Sequence, residues 1–268
     1  MSLKRILPKE HGTWAMLLVP WAIGCGVARR LTGPDLLLLA AMLAFFLAHN
    51  QLLTWLRLRL VAASDSGTLG RARGLFLILA GAGGVAFLPL LALSGPTALL
   101  ALGGIAGALV AVSLYLVYRR RDHGLAGQIL APAGLALSAP AAYSVARGAL
   151  DRTAVALWAL NVLFFLGAVL YVRLKIDALK RAPSLVAPTA KLRFAAPTLG
   201  IDLAILVAVL ITLGFGSLSP WALLAFVPTT AQTLVGAARL DRPARLKRVG
   251  ILATAHSIVF ALLVVWLA

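Results

Sequence analysis

Asp35-Leu36-Leu37-Leu38-Leu39-Ala40-Ala41-Met42-Leu43-Ala44-Phe45-Phe46-Leu47-Ala48-His49-Asn50-Gln51-Leu52-Leu53-Thr54-Trp55-Leu56-Arg57-Leu58-Arg59 is the stretch that decides the fold. Residues 36–56 carry no Asp, Glu, Lys or Arg. A helix needs about 20 largely apolar residues to cross a bilayer core, so this segment reads as a transmembrane helix. Its far end supplies an aromatic side chain, Trp55, and then two cations, Arg57 and Arg59. Interfacial aromatics followed by basic residues mark the edge of a membrane crossing.

The same pattern recurs on both sides of it. Nine spans are expected, at about 13–31, 35–56, 74–94, 97–118, 124–146, 152–173, 196–216, 219–238 and 249–267. Composition agrees: 62% of the 268 residues are hydrophobic and 12% charged. A soluble domain carries about 25% charged residues. The expected fold is therefore an all-α polytopic transmembrane helical bundle, a single integral membrane domain over residues 1–268. The first apolar stretch lacks a small-residue cleavage site, so no removable signal peptide is expected. Cys25 is the only cysteine, which rules out an intrachain disulfide.

Net charge is +17, a value that in a soluble chain would suggest nucleic acid. Here the charge alternates with the spans. All of the 25 Lys and Arg except Arg29, Arg30, Arg147 and Arg152 fall at every second connection or on the N-terminal segment. Topology explains such a pattern, and no nucleic-acid partner is expected. The positive-inside rule then predicts a multi-pass protein of the cell inner membrane, with the N-terminus cytoplasmic and, for an odd count of spans, Ala268 outside. The connections Ser94-Gly95-Pro96 and Gly216-Ser217-Leu218-Ser219-Pro220 are tight turns with no room for an outer domain. The longest connection, 176–195, holds Pro183 and Pro188 and so is not expected to be one regular helix.

Two cationic helix ends echo each other: Arg57-Leu58-Arg59 after the second span and Arg173-Leu174-Lys175 after the sixth. Asn50, Thr54 and Arg57 follow i, i+4, i+7 and share one helical face, as do Arg173, Asp177 and Lys180. Topology requires the cations but not Asn50 and Thr54. That polar stripe therefore points to a cavity at the cytoplasmic side, while interhelical hydrogen bonding is the plainer account.

Pro8-Lys9-Glu10-His11-Gly12-Thr13-Trp14-Ala15-Met16, leading into Leu17-Leu18-Val19-Pro20, resembles the N-terminal signature of the YwiC-like membrane proteins. Tyr171-Val172-Arg173 resembles a further segment of that family. The resemblance brings no established activity with it. The nine-span layout is also similar to that of UbiA-type prenyltransferases, which implies a UbiA-like arrangement of helices. In those enzymes, Asp-rich motifs after the second and sixth helices hold an isoprenoid diphosphate through Mg²⁺. This chain has Asn50-Gln51-Leu52-Leu53-Thr54 where the first motif wants Asn-Asp-x-x-Asp. Only Asp177 remains at the second, among Arg173, Lys175, Lys180 and Arg181. Oxygen ligands for Mg²⁺ are missing, so neither a metal nor a cofactor is expected. Arg57, Arg59, Arg173 and Lys175, with Asn50, Thr54 and Asp177, are instead the candidate contacts to an anionic headgroup.

Glu10 and His11 are candidates for a general base or proton carrier, or else anchors at the headgroups. Asp202 is the one acid well inside a span, about 9 Å past the expected start of the seventh. An intramembrane carboxylate is a functional candidate by default. His256 lies at comparable depth in the ninth span. Gln128, Asn161, Thr229, Thr230 and Gln232 are further polar positions within spans. Together these features favour binding, and chemical modification, of an anionic lipid or isoprenoid in a cytoplasm-facing cavity. A proton-coupled transporter using Asp202 and His256, and a non-catalytic membrane subunit whose basic loops dock a partner, are the alternatives.

Overall fold

A computed structural model describes residues 11–60, 66–122, 124–181, 185–215, 218–241 and 246–268. The described chain is helical throughout, with no strand. In order come α1 (His11–Ala28), α2 (Gly33–Arg59), α3 (Ser66–Leu93), α4 (Pro96–Tyr118), α5 (Leu125–Leu135) and α6 (Ser138–Arg147). Then follow α7 (Arg152–Arg181), α8 (Pro188–Phe215), a 3₁₀ segment (Pro220–Phe226), α9 (Val227–Ala238) and α10 (Leu246–Leu267). Every expected span coincides with helix. Among the described residues eight segments are long and apolar enough to cross a membrane, and Gly12–Ala28 before them is a shorter apolar helix. The protein is a multi-pass helical membrane bundle.

Two spans are interrupted, and proline accounts for both. Pro140 has no N–H to give the Ala136 carbonyl, which Ala139 N bonds instead at 3.1 Å. The fifth span therefore tightens at Ala136–Leu137 and divides into α5 and α6. Likewise, Pro228 cannot donate to the Leu224 carbonyl, and Val227 N takes it in a 3₁₀ bond. The eighth span thus begins as Pro220–Phe226 and becomes α-helical only at Val227. The long basic connection is shorter than expected. α7 continues to Arg181 and α8 opens on Pro188, where the missing N–H costs nothing. Pro183 lies outside the described residues.

The fifth span is the innermost. In α6 every residue from Ser138 to Ala146 is buried. Ser138 Oγ donates to the Leu17 carbonyl of α1 at 2.8 Å, and Trp158 Nε1 of α7 to the Ala133 carbonyl of α5 at 3.0 Å. These bonds satisfy carbonyls where water has no access. A second knot joins α7, the 3₁₀ segment and α10. Phe164 stacks on Phe260 with ring centroids 3.9 Å apart, and Phe226 meets Phe260 edge-on at 5.3 Å. By contrast α2 and α3 form an outlying antiparallel hairpin with much of its surface exposed.

Contacts also sort the helix ends. Arg57 reaches Asp122, Arg173 reaches Gln128, and Lys175 and Lys191 reach the end of α9. The ends of α2, α4, α7 and α9 and the starts of α5 and α8 therefore share one basic end of the bundle. Gly26, near the end of α1, abuts Val265, near the end of α10, so Ala268 lies at the opposite end.

Candidate functional site

The two cationic helix ends flank the connection between α4 and α5 and the first turn of α5. Arg57 Nη2 pairs with Asp122 Oδ2 at 2.8 Å, and Arg173 Nη1 donates to Gln128 Oε1 at 3.2 Å. Arg120 Nη2 reaches back to the Leu60 carbonyl at 3.4 Å. Arg173 also lies 3.7 Å from Asp177, which is 3.5 Å from Lys180, so Asp177 serves cations of its own helix. Arg59 lies over the Trp55 ring, 4.8 Å from its centroid. Thr54 Oγ1 donates to the Asn50 carbonyl at 2.8 Å, the common fate of a hydroxyl four residues on in a helix. Glu10 lies outside the described residues, as does the side chain of His11, the first residue of α1.

Lys175 takes a different role from its neighbours. It is only 7% exposed, and its Nζ donates to the Gly236 carbonyl at 2.7 Å and the Arg239 carbonyl at 3.4 Å. These carbonyls close the C-terminus of α9. The last carbonyls of a helix lack internal partners and carry its negative dipole end, so a buried ammonium there meets both needs. Lys191 of α8 adds a bond to the Ala238 carbonyl at 3.3 Å and a salt bridge to Asp241 at 2.9 Å. Two lysines from α7 and α8 thus fasten the end of α9 and occupy the basic side of what lies above it.

What lies above is a polar cavity enclosed by α7, α8, the 3₁₀ segment and α9. Asp202, Tyr171, Thr229, Thr230, Gln232 and Thr233 supply its polar lining, with Phe164 and Phe226 as its apolar floor. Its free volume is about 20 Å³, room for about one water molecule. Asp202 sits at the middle of α8 and is half-buried. Gly167 of α7 faces it, where an added Cβ would stand 3.6 Å from Oδ1, an ordinary contact. Gly236 is different: it makes room for Tyr171, since a Cβ there would fall 2.8 Å from the phenol oxygen. His256 is not among the residues lining the cavity but bonds to one of them, its Nδ1 lying 2.7 Å from Gln232 Oε1. Thr229, Thr230 and Gln232 reach this cavity as the sequence suggested. Gln128 and Asn161 do not.

A second feature is an open apolar groove of about 320 Å³ between α2 and α4. Leu52, Trp55 and Leu56 form one wall, and Leu114, Tyr115 and Tyr118 the other. It ends beside Arg59 and the exposed Arg119, Arg120 and Arg121. Asn50 and His49 line neither the groove nor the cavity.

Sequence reasoning missed Thr233, Tyr171 and Gly167. The signal was present: Thr229, Thr233 and Gly236 follow i, i+4, i+7, and Gly167, Tyr171 and Lys175 follow i, i+4, i+8. Among the described residues no group of three or more His, Cys, Asp or Glu side chains gathers as a metal would need.

No curated protein and no solved structure matches the chain. The family described as YwiC-like protein matches residues 7–143. That region takes in the segment Pro8 to Met16, while Tyr171-Val172-Arg173 and the Asp202 cavity fall beyond it. On this match over half its length, the chain belongs to the YwiC-like protein family.

Proposed function

We propose that this membrane protein binds one anionic amphipathic lipid, with an isoprenoid or acyl chain in the α2–α4 groove and its headgroup at the basic end. By the positive-inside rule that end faces the cytoplasm. The observation that carries the reading is the groove's nearly unbroken apolar lining, which leads straight to Arg59, Arg119, Arg120 and Arg121. An acyl or prenyl chain matches such a wall of Leu, Trp and Tyr. Guanidinium groups bind phosphate or carboxylate in paired hydrogen bonds and need no metal between. Arg59, held over Trp55, is already placed at the join of the two surfaces. Arg57, paired with Asp122, and Arg173, bonded to Gln128, would be the outer contacts of the headgroup.

Native mass spectrometry of gently extracted protein tests the reading. The expected result is one tightly retained anionic lipid, lost in Trp55→Ala and in the Arg59→Ala/Arg120→Ala double variant. Retention of bulk phospholipid alone, unchanged by either variant, would refute it.

A further inference from the structure

We infer that the cavity around Asp202 is a binding site for a small monovalent cation of sodium's size. Four observations converge on it. First, Asp202 carries the only formal charge in the cavity lining, and no described cation pairs with it. The nearest candidates are engaged elsewhere: Lys175 with the α9 carbonyls, Arg173 with Gln128 and Asp177. An ionised carboxylate between packed helices needs a compensating charge.

Second, the hydroxyls around it present lone pairs. Thr229 Oγ1 donates to the Phe226 carbonyl at 2.9 Å and Thr233 Oγ1 to the Thr229 carbonyl at 3.1 Å. With their protons given to backbone carbonyls, both hydroxyl oxygens keep lone pairs free to accept, and both residues line the cavity. A carboxylate flanked by oxygen acceptors suits a hard cation.

Third, the free volume of about 20 Å³ admits one small ion or water and excludes any organic cation. Fourth, the cavity lies where a span is discontinuous, at the junction of the 3₁₀ segment with α9. Interrupted helices are where secondary transporters hold their coupling ions, since freed polar groups can turn inward. His256 is a positioning residue here. Its bond to Gln232 Oε1 fixes the amide at the cavity's edge. The other titratable group on the lining is Tyr171 of α7, and α9 and the 3₁₀ segment contribute neutral groups.

The test uses the full chain in nanodiscs of neutral lipid. Thermal unfolding is followed against NaCl, with KCl and choline chloride at equal ionic strength. The expected result is a midpoint that climbs and saturates with NaCl, responds less to KCl, and ignores choline. Asp202→Asn should abolish the sodium response. Thr229→Val and Thr233→Val should each weaken it roughly tenfold, about 1.4 kcal/mol of lost coordination. Equilibrium binding of radioactive sodium to the unmutated protein decides the matter should a variant fold poorly. Equal responses to NaCl and choline chloride, or a response to pH with none to sodium, would overturn the proposal; the latter would assign Asp202 a proton instead.

Discussion

Replacing Lys175 with methionine separates a structural lysine from a ligand-binding one. Methionine keeps most of the stem's volume and removes the ammonium, so packing changes little. What is lost is a charged donor to the Gly236 carbonyl at 2.7 Å and a longer bond to the Arg239 carbonyl at 3.4 Å. The site is 7% exposed, so water does not readily replace the ammonium. A hydrogen bond from a charged group contributes about 1.5–3 kcal/mol, and an orphaned buried carbonyl adds to the loss. The bond at 3.4 Å is too long to add much, which places the expected destabilisation near 2 kcal/mol. For a chain of this size that corresponds to a fall of about 4–8 °C in the unfolding midpoint. The assay is thermal unfolding in detergent, with hydrogen exchange of the last turn of α9 as a local readout. Lys175→Met should lower the midpoint and deprotect amides near Val235 to Arg239, while leaving lipid retention intact. A midpoint within about 1 °C of the parent, or loss of bound lipid with unchanged stability, would refute the assignment of Lys175 as the fastening of α9.

Two further substitutions probe the same packing. Gly236→Ala drives a methyl group into the Tyr171 ring, 2.8 Å from its oxygen, and should cost about 1–3 kcal/mol in unfolding experiments; Tyr171→Ala in the same chain should recover part of that loss. Arg57→Ala and Asp122→Ala, taken through a double-mutant cycle, should show a coupling below about 1 kcal/mol, because the Arg57 side chain is half in solvent, and that coupling should shrink as salt is added.

Much of this protein was legible before any coordinates. An apolar run such as 36–56 has one low-energy solution in a bilayer, because every backbone polar group must be bonded within the segment. Hydropathy therefore sufficed to locate each of the nine helical segments. The alternation of basic connections sufficed to group their ends. The prolines gave fair warning of irregularity, and Pro140 and Pro228 are the residues that divide the fifth and eighth spans.

The candidate site was legible only in pieces. Asp202, His256, Thr229, Thr230 and Gln232 stand out because polar side chains are costly inside a span, yet linear sequence cannot say which of them share a face-to-face contact. The helices joined around the cavity come from positions 152–238, and Gly236 is what lets α9 approach Tyr171 of α7 so closely. Lys175 shows the limit best. In sequence it is one more cation at a helix end, equivalent to Arg57 or Arg173. Only the parallel packing of α7 against α9 brings the terminal carbonyls of α9 within 2.7 Å of its ammonium. Hydrophobicity, a property of each segment alone, determines that these helices exist; which polar groups become partners depends on rotation and depth between segments, and those are fixed only when the side chains pack.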